Sequence, residues 1–203
     1  MDIEKLQSLR PTGIALAASA LLAVVLMHHH PHGGDGPGLI RGVHGALLAM
    51  IGVQPAVMAL LARALGWNLK TALGLGLVIV GTLGALVAGT INGFVVPAIA
   101  EYPAGVIGPG IGELAWEINQ QFARNGAVAM GTGIACFAVA LWQSGWRVTG
   151  ALGVLAGLVP AVLLVAGVID MRFYGAMATY IAQLAWLVLL GIIMARQGQP
   201  QTA

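Results

Sequence analysis

Histidine and carboxylate are the side chains with most chemistry to offer in this sequence, and both are unevenly placed. Four histidines form the run His28-His29-His30-Pro31-His32, and the fifth is His44. Neutral imidazole is the commonest protein ligand for zinc, copper, nickel and haem iron, and carboxylates complete harder sites. Five of the seven acids, Asp35, Glu101, Glu113, Glu117 and Asp170, fall on the same side of the membrane as the histidines once the apolar segments are laid out; only Asp2 and Glu4 fall on the other. The candidate metal ligands are therefore His28, His30, His32, His44, Glu113, Glu117 and Asp170, with copper or zinc the metals they suit best.

His44 differs in kind from the other histidines. It lies four residues after Ile40, inside the start of an apolar segment, where a ring facing lipid would be costly. It must face neighbouring helices or an aqueous vestibule, either as a ligand or as a hydrogen-bond partner of another helix. The loop histidines also read as a solvated cap that binds metal adventitiously, because Pro31 interrupts them and their spacing matches no strict ligand motif.

Four kinds of function fit this pattern. The first is binding or transport of a transition metal at the non-cytoplasmic face. The second is a membrane electron-transfer subunit holding haem b between His44 and one of His28–His30. The third is a metal-dependent membrane enzyme in which the metal activates water or oxygen near carboxylates. The fourth is a non-catalytic subunit of a larger membrane complex or a homo-oligomer, which the many small residues favour. No catalytic residue is assigned, since no nucleotide-binding loop, Ser-His-Asp arrangement or HExxH signature occurs. Gly108-Pro-Gly-Ile-Gly112 lacks the strand and lysine of a phosphate cradle. A net charge of +2 argues against nucleic acid as a partner, and the lone Cys136 excludes an intramolecular disulfide.

The elements that position these residues are membrane helices. Only 8% of the residues are charged and 59% are hydrophobic, too little polar surface to cover a soluble globule of this size. The sequence predicts an all-α polytopic bundle in the lipid bilayer, one transmembrane domain over 1–203. Its six spans run approximately Thr12–Met27, Ile40–Leu65, Thr71–Ala100, Gln120–Trp142, Val148–Ile169 and Phe173–Ala195. Lys5 and Arg10 before the first run imitate a signal peptide, but no small-x-small site ends it, so it reads as an uncleaved span. Lys5, Arg10, Arg63, Lys70, Arg147 and Arg196 on one side against Arg41, Arg124 and Arg172 on the other place both termini in the cytoplasm. A bacterial inner membrane with the histidine loop in the periplasm follows as the expected location.

Within this frame the sequence makes several local expectations. A helix starts near Ile111 and places Glu113, Glu117, Gln120 and Arg124 on one face. Continuous to Trp142 it would measure about 48 Å, so it must project from the membrane or break near Gly126. Arg124 is expected to pair with one of the carboxylates on its face, and Asp170 with Arg172. Pro55 and Pro160 can kink their helices, and Gln54, Asn92 and Gln183 read as interhelical hydrogen-bonding groups. Gly89-x-x-x-Gly93 and Gly153-x-x-x-Gly157 permit close helix contact. Gly52-Val-Gln-Pro-Ala-Val57 echoes Gly157-Leu-Val-Pro-Ala-Val162 at an offset of 105 residues, the weak trace of an inverted three-span repeat.

Overall fold

The computed structural model describes residues 3–29, 31, 35–103, 106–108 and 110–197, and among them every regular element is helical. The elements are α1 (Ile3–His28), α2 (Pro37–Leu65), α3 (Leu69–Thr90), a π-helical turn (Ile91–Val95), α4 (Val96–Ala100), α5 (Ile111–Gln143), α6 (Arg147–Val165) and α7 (Phe173–Gln197). Six stretches are long and apolar enough to cross a bilayer: Leu9–His28, Pro37–Leu65, Leu69–Ala100, Ile111–Gln143, Arg147–Val165 and Phe173–Arg196. The chain is an integral membrane protein with a helical-bundle fold. One end of the bundle carries the turns from α1 to α2, α4 to α5 and α6 to α7, here called the histidine face. The other carries the start of α1, the end of α7 and the turns from α2 to α3 and from α5 to α6, here called the terminal face.

Local sequence sets the ends of these helices. Asn68 caps α3: its Oδ1 accepts from the backbone N–H of Lys70 at 3.0 Å and of Thr71 at 3.4 Å, while Thr71 Oγ1 accepts from Asn68 N–H at 3.0 Å. Gly145, at φ 95°, supplies the left-handed backbone that turns α5 into α6. Trp67 and Trp142 are exposed at the terminal face, where amphipathic indoles anchor at the bilayer interface.

The spans form a closed ring. Each packs on its neighbour in sequence, and α7 returns to pack extensively on α1. Glycine makes the closest crossings. An added Cβ at Gly84 would stand 2.6 Å from Gly126 Cα, one at Gly13 would stand 2.5 Å from the Gly191 carbonyl oxygen, and one at Gly157 would overlap the Gly131 carbonyl oxygen. Without a hydrophobic drive between helices in lipid, such backbone approach supplies much of the packing attraction. The bulky core lies mostly towards the terminal face, where Leu16, Met58, Leu61, Ile134, Phe137, Leu141, Leu190 and Met194 are fully buried or nearly so. A second cluster towards the histidine face uses Ala88, Ala123 and Ala127 with Leu164 and Met171. The larger buried side chains thus gather towards one end, and small residues space the helices at the other.

Several local expectations change. Gly126 does not break α5, because it is where α3 presses against it; the helix runs unbroken for 33 residues, about 50 Å, and its first turns, Ile111–Leu114 among them, are exposed. Arg124 pairs with no carboxylate among the described residues. Its guanidinium donates to the carbonyls of Leu164 at 2.7 Å and Val165 at 3.4 Å, capping α6, whose end carries partial negative charge. α6 ends at Val165, short of the expected Ile169, where Gly167 at φ 70° turns the backbone and the Val168 N–H bonds back to the Leu163 carbonyl at 2.9 Å. The helical assignment continues through Pro55 and Pro160. The irregular turn instead precedes Pro97, which has no N–H to offer one turn back; there the Val96 N–H reaches the Ile91 carbonyl, five residues away.

Candidate functional site

The histidines and acids of the histidine face do not assemble into a single cluster. His28 and His29 are exposed, their rings edge to face at 5.3 Å, and His29 Nδ1 donates to the Val25 carbonyl at 2.9 Å. His30 and His32 lie outside the described residues. Glu113 and Glu117 stand exposed on the first turns of α5. Asp170 is exposed and engaged with Arg172, by its side chain at 3.5 Å and by the Arg172 N–H at 3.0 Å, as the local turn cap the sequence suggested. Glu101 pairs with Arg41 at 2.9 Å, tying the end of α4 to α2. Among the described residues, no three of His, Cys, Asp and Glu converge as a metal-binding group would.

His44 stands apart from these residues, only 3% exposed inside the ring. Its Nδ1 donates to the Ile40 carbonyl at 2.9 Å, so in the neutral ring Nε2 carries the lone pair. Asn92 Nδ2 donates to that nitrogen at 3.3 Å. Asn92 and Gly93 both belong to the π-helical turn, which widens the backbone where α3 meets α2. The ring lies directly over Gly93, where a Cβ would overlap His44 Cβ and Cγ. One irregular turn therefore contributes both the hydrogen-bond donor and the space for the imidazole.

Beside His44 opens a chamber of about 210 Å³ among α2, α3, α5 and α7. Small residues make room for it: Gly81, Ala85, Ala88 and Gly89 on α3, Ala123 and Gly126 on α5, Ala176 on α7. Asn119, Gln120 and Trp116 of α5 flank the end near His44, with Met27 of α1, and with Met171 and Phe173 at the start of α7. Gln54 and Gln183 line its inner end with Met130 and Leu187; Gln54 lies ten residues beyond His44, about 15 Å along α2. Tyr180 and Met177 lie between these ends. Among the described residues, no Asp, Glu, Lys or Arg lines the wall. The walls are apolar, and the polar groups on them are uncharged amides, a phenol and one imidazole.

The deep polar residues are thus partly accounted for by helix-to-helix bonding. Gln183 Nε2 donates to the Ala127 carbonyl at 3.0 Å and Asn92 bonds His44, as interhelical groups should. Sequence reasoning took these residues one at a time and missed their shared chamber, along with Asn119, Trp116, Tyr180 and the methionines Met27, Met130, Met171 and Met177. A signal was available: Gly81, Ala85, Ala88 and Asn92 recur at helical spacing, a small-residue stripe ending in an amide. The echo of segment 52–57 at 157–162 has no counterpart here, since α6 contributes nothing to the chamber while Gln54 of α2 does. No family model, curated protein or solved structure matches the chain. The site must be read from its own chemistry.

Proposed function

We propose that the protein is a membrane-embedded binding protein, or the binding core of a transporter, for a small uncharged molecule taken up into the chamber from the histidine face. The observation that carries this reading is a chamber walled by apolar residues and neutral hydrogen-bonding groups, with no Asp, Glu, Lys or Arg on its wall among the described residues. A charged ligand held there would lack a counter-charge, at high cost in a low-dielectric surround. Size limits the ligand further. An apolar cavity of about 150 Å³ holds benzene, so a chamber of about 210 Å³ suits a molecule on the order of ten non-hydrogen atoms. In a bacterial inner membrane with both termini cytoplasmic, the chamber would face the periplasm.

The test is a calorimetric titration of p-cresol into untagged protein in lipid nanodiscs. Saturable binding is expected, weakened about tenfold or more in Ala176→Leu, which fills the chamber from α7. Uptake identical in wild type, variant and empty nanodiscs would sink the reading.

A second reading, transition-metal handling, draws support from His44 itself. With Nδ1–H held by a backbone carbonyl, Nε2 is oriented as in a metal-binding imidazole, and a metal there would take the place of the Asn92 amide. The thioethers of Met27, Met130, Met171 and Met177 on the same wall are soft donors that favour copper(I) over zinc. A haem with two histidine ligands is less well served, since His44 is the one imidazole on the chamber wall among the described residues. Elemental analysis of untagged protein separates these readings: stoichiometric copper, lost in His44→Ala, supports the metal, and a metal-free preparation that cannot be loaded with copper(I) ends it.

A further inference from the structure

The inner end of the chamber holds two carboxamides whose hydrogen-bonding capacity is not used up. Gln183 donates Nε2 to the Ala127 carbonyl, and because a carbonyl can only accept, this fixes which end of the amide points where. Its Oε1 is buried without a partner. Gln54, on α2, has its Nε2 buried without a partner too. Each residue is only 2% exposed and each lines the chamber. Thr82 and Thr179 also bury unpartnered hydroxyls, but of these four residues only Gln54 and Gln183 line this wall.

An unpaired amide in an apolar surround is unfavourable, and a leucine at either position would fill the wall without that penalty. The free end on Gln183 calls for a donor, while the Gln54 amide, which no hydrogen bond holds in one sense, can turn to offer its N–H to an acceptor. We infer that the ligand carries a hydroxyl, a single group that both donates and accepts, and that Gln54 and Gln183 recognise it at the inner end of the chamber. The inference rests on the chamber being the binding site, and it adds the ligand's chemical class. Carboxylic acids and amines are disfavoured because no charge lines the wall, and plain hydrocarbons because they would leave both amides unsatisfied.

p-Cresol and p-xylene test this cleanly, since they differ by a hydroxyl in place of a methyl group. A purely apolar cavity prefers p-xylene, the more hydrophobic of the two. A site built to hydrogen-bond a hydroxyl rejects the analogue that lacks it. In nanodiscs the wild-type protein is expected to bind p-cresol at least about tenfold more tightly than p-xylene. Gln54→Leu, which breaks no hydrogen bond found in the structure, should erase or reverse that preference, and Gln183→Met should do the same. Saturable binding of both probes with p-xylene the tighter, or a preference unchanged in both variants, overturns the hydroxyl inference and leaves the chamber reading standing. No saturable binding of either probe overturns both. The wild-type comparison stands even if a variant fails to fold.

Discussion

His44 rests its ring on Gly93 and takes a hydrogen bond from Asn92, so neighbouring residues of one turn hold it from two directions. Gly93→Ala therefore forces a methyl group into the base of the imidazole, where the nearest atoms are those closest to the backbone and least able to move. The expected loss is about 1–3 kcal/mol, with weakened binding in the chamber. Gly89→Ala makes a useful comparison: its added methyl meets Leu48 Cδ2, the end of a flexible side chain, so its cost should be clearly smaller. Thermal unfolding of both variants in the same detergent checks this, and equal losses would contradict the account. The sequence made it legible that His44 is buried, because a polar ring one turn into an apolar segment cannot face lipid. It did not reveal Asn92 as the partner, because that pairing depends on a π-helical turn with no marker beyond the proline that follows it. The metal-ligand set was less legible still. Placing Glu113, Glu117 and Asp170 on one face of the membrane says nothing about their mutual distance, and each is exposed, Asp170 already paired with Arg172.

The helices themselves were the most legible part of the molecule, since a run of about twenty apolar residues has few other fates. Their ends were less so, because side chains from other helices also bond to them. Arg124 is the clearest example. From sequence it shares a face with Glu113 and Glu117, yet it caps the final carbonyls of α6 and leaves those acids in solvent. Arg124→Leu should therefore cost about 1.5–3 kcal/mol, the range for hydrogen bonds involving a charged group. Glu117→Gln should stay within about 0.5 kcal/mol, as for a surface site. Unfolding curves for the two variants decide between the cap and the expected ion pair, which predicts comparable losses. The same comparison explains why Gly126 does not interrupt α5. In isolation a mid-helix glycine weakens a helix, but here it lets α3 approach backbone to backbone, and that packing holds it straight.

Across the whole molecule, bulky side chains fill the terminal end of the ring, and small residues hold open the end that bears His44. With the small residues grouped around His44, the proposed route into the chamber is through the histidine face. Which compartment that is follows from the distribution of lysine and arginine. With Cys136→Ser as background, Asp35→Cys and Glu113→Cys should react with a membrane-impermeant maleimide applied to intact bacterial spheroplasts. Lys70→Cys should react only after permeabilisation. The opposite pattern would invert the orientation and turn the chamber to the cytoplasm.

The ring's seam lies between its first and last spans, where Gly13 and Gly191 bring α1 and α7 into backbone contact. A ribosome delivers these two helices at opposite ends of synthesis. Through all the intervening elongation, α1 has α2 beside it but not the partner that meets its glycine face. The ring, and with it the chamber wall supplied by Gln183 and Tyr180, is completed only when α7 enters the bilayer. Assembly of the binding site is therefore a late event in the protein's biogenesis, and a chain stopped after α6 would leave an open arc with a glycine-lined groove facing lipid.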